Sequence, residues 1–216
     1  MNIWNVKQVT RHFRMNEGTT DYISIPEITL SADFKIKITI ERDTTKATAS
    51  LGGYNSTRVY QQIDGRLEIA NNSGGVFFTG ALSGIADGAL FTAIIERIGS
   101  SLTAEVLGVT YNGTTTNADR FSFISIGTSN NITNSTIGVI ADAEFYDSGV
   151  KIRNYPINDN SDAILDTVGG QTGAVIGGVT GEAWGLFHQV VRDGKWQGIS
   201  LHSPEWSSSN QILEVS

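Results

Sequence analysis

The chain has 216 residues, no cysteine and a formal net charge of −7. The absence of cysteine excludes disulfides, thiolate nucleophiles and cysteine-based zinc or iron–sulfur sites, and it is compatible with folding in the cytosol. The negative charge, with no basic stripe, argues against nucleic-acid binding, which needs clustered Lys and Arg. Only 17% of the residues are charged and 24 are glycine, a composition typical of short strands and polar turns.

The sequence contains no segment typical of a membrane protein. Residues 1–20 contain no apolar run that resembles a signal peptide, and no later window is apolar for long enough to span a bilayer. We therefore expect no signal peptide and no membrane insertion.

Alternating apolar and polar residues predict strands in the first part of the chain. Tyr22 to Ile25 forms a short strand pattern, which should end at Pro26 or leave this proline at a sheet edge. From Phe34 to Ile40 every second residue is apolar, so this strand should bury one face and expose the other.

Glycine-containing pairs predict the turns. Asp64-Gly65 is a two-residue hairpin signal, Gly99-Ser100 separates two further strand patterns, and Asn112-Gly113 marks the next turn. Strands should follow at Phe121 to Ile126, Ile137 to Tyr146 and Val150 to Tyr155. The one weak helical signal is a single turn at Ser161 to Val168.

The strand at Ile137 to Tyr146 carries the acids that bear on catalysis. Strict alternation places Val139, Ala141, Ala143 and Phe145 on one face, and it places Ile140, Asp142, Glu144 and Tyr146 on the other.

Regular turn signals between alternating strands predict an all-β fold, either a sandwich or a barrel. We expect one domain overall. Residues 1–20 form an N-terminal arm and first strand, residues 21–184 form the sandwich, and residues 185–216 form an extension with a hairpin around Asp193-Gly194.

Four segments resemble concanavalin A-like, laminin-G-like jelly rolls, over roughly residues 12–184. They are DYISIPEITLSADFKIKITI, FTAIIERIGSSLTAEVLGVTYNG, the late strands FSFISIGTS and IGVIADAEFYDSG, and NYPINDNSDAILDTVGGQTGAVIGGVTGEAW. The last is similar to the terminal segment of such domains in bacteriophage virion and tail proteins. The resemblance implies a jelly-roll β-sandwich, in which two antiparallel sheets pack face to face, and such domains often serve carbohydrate recognition, adhesion or virion assembly. Residues 185–216 depart from that pattern.

Glycan-cleaving enzymes of similar fold carry Glu-x-Asp-x-(x)-Glu on one strand. Asp142 and Glu144 are the best local pair for the two carboxylates that glycosidases need, but Ile140 stands where the first Glu should be. The three histidines, His12, His188 and His202, lie outside the central strands, so a His-based lyase site is also missing. We therefore expect no enzymatic activity.

A structural calcium ion is the one cofactor that the sequence leaves open. The spacing Asn158-x-Asn160-x-Asp162 supplies oxygen donors and imitates the start of an EF-hand loop, and Asp159 and Asp166 lie nearby. The sixth position is Ala163 and the twelfth is Gly169, so the loop is not an EF-hand. The alternative interpretation is an Asx-rich turn that caps its own backbone.

Aromatic side chains in polar surroundings are the candidate ligand contacts. Tyr54 and Tyr60 lie beside Gly52-Gly53, and Trp196 and Trp206 lie in the C-terminal extension. Trp184 ends an apolar run and is expected to be buried.

The sequence thus predicts a non-enzymatic virion-surface or tail-associated protein of a bacteriophage or prophage. It would be assembled in the host cytoplasm, form a homo-oligomer, and bind host-surface glycans or neighbouring virion subunits. The alternatives are a purely structural capsid decoration or assembly protein, and a polysaccharide-cleaving enzyme of the same fold.

Overall fold

The protein is all-β in every part that its computed structural model describes, and no described residue is helical. The described residues are 7–8, 12–15, 22–42, 47–53, 57–71, 76–82, 84–115, 120–128, 138–157, 163–176, 183–184, 187–192 and 195–200. In this part of the chain there is, accordingly, no helix long and apolar enough to cross a membrane.

Nineteen strands are described. In chain order they are β1 (Lys7–Gln8), β2 (His12–Met15), β3 (Tyr22–Leu30), β4 (Phe34–Glu41), β5 (Thr48–Gly53), β6 (Arg58–Gln61), β7 (Leu67–Ala70), β8 (Val76–Phe78), β9 (Leu90–Ile98), β10 (Ser101–Val106), β11 (Val109–Thr114), β12 (Phe121–Ile126), β13 (Gly138–Asp147), β14 (Val150–Pro156), β15 (Ala163–Leu165), β16 (Thr172–Ile176), β17 (Ala183–Trp184), β18 (Phe187–Arg192) and β19 (Lys195–Ser200).

Two antiparallel sheets of eight strands form a sandwich. Sheet I has the order β11-β10-β9-β4-β13-β2-β17, and β14 pairs with β13 beside β2. Sheet II has the order β15-β16-β3-β12-β5-β6-β7-β8. The predicted two-sheet β-sandwich is confirmed.

Apolar side chains from both sheets meet in one core. Phe34 and Phe145 of sheet I pack against Phe121 and Phe123 of sheet II, with ring centroids 4.9 Å apart for Phe34–Phe121 and 5.9 Å for Phe123–Phe145. The predicted alternation of β4 is also confirmed, since Phe34 and the three isoleucines that follow at every second position are at most 3% exposed. Burial of this kind is the main source of the sandwich's stability.

The chain near Pro26 differs from the prediction. The strand does not end there but continues to Leu30, because three residues of β3, 25 to 27, lie opposite one residue of β12 in a bulge. Pairing with β16 stops at Ser24, so the missing N–H of Pro26 interrupts no ladder on that side.

Two of the three predicted turns need correction. The hairpin at Asp64-Gly65 is present, but its loop has three residues, and Gly65 takes a φ of 89° at the end of it. Asn112-Gly113 is not a turn and lies inside β11. The turn is Leu107-Gly108, where both residues have positive φ. Only the turn at Gly99-Ser100 is as predicted.

A bulge in β13 changes the faces of that strand. Ile140 pairs with Ile40 and Asp142 with Thr39, so Ala141 is the extra residue. Ile140 therefore points into the core with Ala143 and Phe145, and all three are 0% exposed. The prediction that Ile140 shares a face with Asp142 is wrong, because a one-residue bulge reverses the alternation.

The C-terminal segments form further strands. Residues 163–165 are a strand that pairs with β16, so the helical turn predicted at Ser161 to Val168 is wrong in its described part. β18 and β19 form the hairpin expected around Asp193-Gly194, with Arg192 opposite Lys195, and β18 also pairs with β1. β2 pairs with both β13 and β17. The domain boundaries remain a prediction.

Candidate functional site

The outward side of sheet I forms a polar grid across β9, β4, β13 and β14, which we call the polar face. One row across the strands consists of Glu96, Lys35, Tyr146 and Lys151, each the pairing partner of the next. The next row contains Lys37 and Glu144, and the third contains Thr92, Thr39 and Asp142. Because the strands are antiparallel and in register, side chains from distant parts of the chain lie side by side here.

This face is open to solvent. The side chains of Lys35, Lys37 and Glu96 are 43%, 40% and 40% exposed. On sheet II, by contrast, outward residues such as Ser122, Ser125 and Glu68 are at most 8% exposed.

Tyr146 lies in the first row of the polar face, between Lys35 and Lys151. The ammonium groups of Lys35 and Lys151 lie 5.9 Å and 5.2 Å from the centroid of its ring. Its hydroxyl donates a hydrogen bond to Glu144 Oε2. The ring is half-buried and is held from both neighbouring strands.

Glu144 is the most heavily bonded acid on this face. Its carboxylate contacts Lys151 Nζ at 2.9 Å and Lys37 Nζ at 3.4 Å, in addition to the Tyr146 hydroxyl. Burial acts to raise the pKa of Glu144, but the hydrogen bonds from Tyr146 and Lys151 and the charges of Lys37 and Lys151 outweigh it and lower the pKa to about 2. Glu144 is therefore ionised and is a very weak base.

Asp142 behaves in the opposite way. Burial, followed by the charge of Glu144, raises its pKa, and its Oδ1 atom is buried without a hydrogen-bond partner. A carboxyl pair with divergent pKa values is a pattern found in glycosidases. Here Glu144 is occupied by two lysines and a phenol, and Ile140, in the position of the missing Glu, lies in the core. The strand therefore lacks the first Glu of the glucanase pattern.

Tyr60 is the predicted ligand contact whose side chain the structure describes. It lies on sheet II opposite Glu68, with the Arg58 guanidinium 6.0 Å from its ring centroid. Burial, followed by the charge of Glu68, raises the pKa of Tyr60. Glu68 is 5% exposed and accepts hydrogen bonds from Arg58, one of them at 2.7 Å, and from Gln62.

The other predicted contacts are not placed. Tyr54, Trp206, Asn158, Asn160 and Asp162 lie outside the described residues, as does His202. Trp196 lies in β19, and Trp184, His12 and His188 lie in strands as well, but their side chains fall outside what the structure describes. The roles predicted for these residues remain predictions.

Asp166 is not available as a calcium ligand in the way the sequence suggested. It is 1% exposed, and its Oδ1 accepts hydrogen bonds from the backbone N–H groups of Asn154 at 2.9 Å and Val168 at 3.0 Å. Its Oδ2 faces Arg153 Nε at 3.5 Å, which disfavours a cation at that oxygen. Among the described residues, no three His, Asp or Glu side chains are arranged to hold a metal ion.

Sequence reasoning missed the importance of Tyr146. Simple alternation places Tyr146 on the same face as Asp142 and Glu144, and this pattern was the one signal that could have indicated it. Its lysine neighbours come from positions 35 and 151, however, and only the strand pairing shows that they flank the ring.

Comparisons with known proteins bear on the fold. No family model matches the chain, and no curated protein matches it in sequence. One similar solved structure is a protein from Bacteroides ovatus for which carbohydrate binding has been proposed, with a TM-score of 0.62 and 12% identity over 79% of this chain. The match covers 60% of the length of that protein.

A second similar structure is a heptameric pentraxin from Limulus polyphemus, with a TM-score of 0.50 and 11% identity, covering 64% of this chain and 75% of the pentraxin. At these identities the likeness concerns the fold alone. The chain is a β-sandwich of the concanavalin A-like jelly-roll type.

Proposed function

We propose that the chain is a non-enzymatic carbohydrate-binding module that uses the polar face of sheet I. The observation that carries the proposal is the half-buried ring of Tyr146 on an open sheet face, between two ammonium groups and hydrogen-bonded to the Glu144 carboxylate. Sugars offer C–H surfaces that pack on aromatic rings and hydroxyl groups that exchange hydrogen bonds with such neighbours. The polar face provides both kinds of contact.

The hydrogen-bonding groups on this face are held in place by one another. Thr39 Oγ1 lies 2.8 Å from Thr92 Oγ1, and Glu96 contacts Lys35 at 3.1 Å. Because the side chains are already ordered by their neighbours, less conformational entropy is lost when a ligand binds. An open face of this kind favours shallow contact with an extended or branched glycan.

Two findings support the absence of catalysis. The low pKa of Glu144, about 2, makes it a poor general base, and the bulge at Ala141 buries Ile140 where the glucanase pattern has its first Glu. The fold is similar to that of a protein for which carbohydrate binding has been proposed, and this similarity supports carbohydrate binding as the function of the chain.

We also propose that the module belongs to a bacteriophage or prophage particle, assembled in the host cytoplasm, where it would contact host-surface glycans. The support is the resemblance of residues 154–184 to the terminal segment of virion and tail domains. Many copies on one particle would multiply a weak single-site affinity.

The experiment is a glycan array probed with the full chain, with Tyr146→Ala and Tyr146→Phe as variants. Saturable binding that is lost in Tyr146→Ala and kept in Tyr146→Phe supports the proposal, because Phe keeps the ring. Binding that is unchanged in Tyr146→Ala contradicts the assignment to the polar face. Release of reducing ends or unsaturated products from a bound polysaccharide would contradict the absence of catalysis.

A second candidate function is structural assembly or decoration of the particle. The turn at Leu107-Gly108 holds Leu107 at a φ of 51°; this residue is 66% exposed, and Val109 beside the turn is 52% exposed. A bulky residue in the left-handed region is strained, and an exposed apolar tip favours contact with a neighbouring subunit. Light scattering of the purified chain tests this function, since a monomer at all concentrations would contradict it.

A further inference from the structure

The lysines of the polar face are unevenly matched with acids. Lys37 and Lys151 both contact the single carboxylate of Glu144, while Lys35 contacts Glu96. Three ammonium groups therefore share two carboxylates. The third acid of the face, Asp142, makes no ion pair with these lysines.

Counting Asp142, the polar face carries three lysines and three acids and is close to neutral, whereas the whole chain carries a net charge of −7. The lysines remain accessible, because the side chains of Lys35 and Lys151 are 43% and 34% exposed. Lysine commonly packs its apolar stem on a surface and keeps its ammonium group in water. An anion that approaches the polar face would meet ammonium groups on both sides of Tyr146.

We propose that the polar face selects acidic saccharides, with the sugar carboxylate bound by Lys35 and Lys151 beside the Tyr146 ring. This inference rests on the proposed carbohydrate-binding function and adds the class of ligand. Lys35 and Lys151 belong to the two strands that flank β13, so their ammonium groups are presented from opposite sides of the ring. An ammonium–carboxylate contact is stronger than a contact between neutral groups.

The affinity for such a ligand should depend strongly on salt. The lysines are exposed, and contacts between exposed charges are screened when the Debye length falls from about 30 Å at ~0.01 M salt to about 3 Å at ~1 M salt. Each exposed contact is weak, so one copy binds weakly and a particle with many copies binds well.

The test compares acidic polysaccharides with their own carboxyl-reduced forms, which keep the backbone and lose the charge. Polygalacturonate, alginate and hyaluronan serve as probes, and binding is measured by biolayer interferometry at low and high salt. The variant is the double substitution Lys35→Met and Lys151→Met, in which the apolar stems are retained. The control is Arg66→Gln with Arg120→Gln, which removes the same charge from elsewhere on the chain.

We expect at least one acidic form to bind better than its reduced partner at low salt. The lysine variant should lose about tenfold in affinity for the acidic form and with it the preference over the reduced form, while the affinity of the arginine control stays unchanged. Equal binding of every acidic form and its reduced partner would overturn the inference, as would a preference that survives in the lysine variant.

The two proposals fail in different ways. If neutral glycans bind and Tyr146→Ala abolishes that binding, the carbohydrate-binding function stands even when no acidic preference is found. If neither acidic nor neutral glycans bind, both proposals are wrong.

Discussion

Asp166, which follows β15 of sheet II, accepts a hydrogen bond at 2.9 Å from the backbone N–H of Asn154 in β14 of sheet I. The backbone N–H of Thr167 donates in return to the Asn154 carbonyl at 2.9 Å. One buried carboxylate thus fastens the two sheets together near the end of the sandwich.

The Asp166→Asn substitution should destabilise the fold by about 1–3 kcal/mol, because a buried charge-assisted set of hydrogen bonds is weakened. Urea unfolding at neutral pH measures the loss. Asp64→Asn is the matched control, since Asp64 is an exposed acid paired with Arg66 and should change stability by no more than about 0.5 kcal/mol. Equal effects of the two substitutions would contradict the role of Asp166.

The same residue makes stability depend on acid pH. Burial acts to raise the pKa of Asp166, but the backbone N–H groups of Asn154, Gly169, Val168 and Gln171 lower it below its usual value. A carboxyl whose pKa is depressed by folding stabilises the protein above its unfolded pKa of about 3.9. That contribution is lost as the pH falls through the lower folded value, and Glu144, with a pKa of about 2, acts in the same direction. Unfolding midpoints at neutral pH and at about pH 3 should therefore differ less in Asp166→Asn than in the wild type.

Gly113 should not tolerate alanine. A Cβ at this position would overlap the ring of Phe77, which packs across β11 from sheet II. We expect Gly113→Ala to cost about 1–3 kcal/mol of unfolding free energy, and a double-mutant cycle with Phe77→Ala to show favourable coupling. Gly84→Ala is the control, because nothing lies within 4 Å of the added methyl. Additive effects of Gly113→Ala and Phe77→Ala would show that the ring is not the cause.

Leu107→Asn should stabilise the fold and weaken self-association. Asn-Gly is the favoured pair for a tight hairpin turn in which both residues have positive φ, so the substitution relieves about 0.5–1 kcal/mol of strain. If the wild type forms an oligomer in light scattering through the exposed leucine, the Leu107→Asn variant should dissociate. Val150→Ser, which alters an equally exposed apolar residue at the opposite end of the sandwich, should leave the oligomer intact. Dissociation of the oligomer in both variants would show that Leu107 has no specific role in the contact between subunits.

Calcium binding by Asn158, Asn160 and Asp162 is a separate prediction. If the loop holds calcium, added calcium should raise the melting temperature and EDTA should reverse the change, because an ion that binds only the folded state stabilises it. Asp162→Ala should abolish the effect, while Asp64→Asn should not. A melting temperature that neither calcium nor EDTA changes would end the proposal.

The sequence predicted the fold where side-chain alternation is uninterrupted. The strand from Phe34 to Ile40 and the hairpin at Gly99-Ser100 are as expected, because periodicity and turn chemistry are local properties. At two bulges the same reasoning gave a wrong prediction. The extra residues beside Pro26 and at Ala141 are set by the pairing with neighbouring strands, which no local pattern encodes.

The turns and the site could be predicted only in part for the same reason, since they also depend on neighbouring strands. Asn112-Gly113 has turn chemistry, but Gly113 is needed because Phe77 covers it, and the chain reverses at Leu107-Gly108 instead. The polar face depends on cross-strand neighbours from positions 35, 96, 146 and 151. Their residue types are visible in the sequence, but their proximity follows only from the sheet order.

The most direct test of the central claim compares two tyrosines on opposite sheets. The best ligand from the array is titrated by calorimetry into the wild type, Tyr146→Ala and Tyr60→Ala, after each variant is shown to be folded. If the polar face is the binding site, Tyr146→Ala should lose about tenfold or more in affinity and Tyr60→Ala should bind like the wild type. Loss of binding in Tyr60→Ala with full binding in Tyr146→Ala would contradict the account and place the site on sheet II.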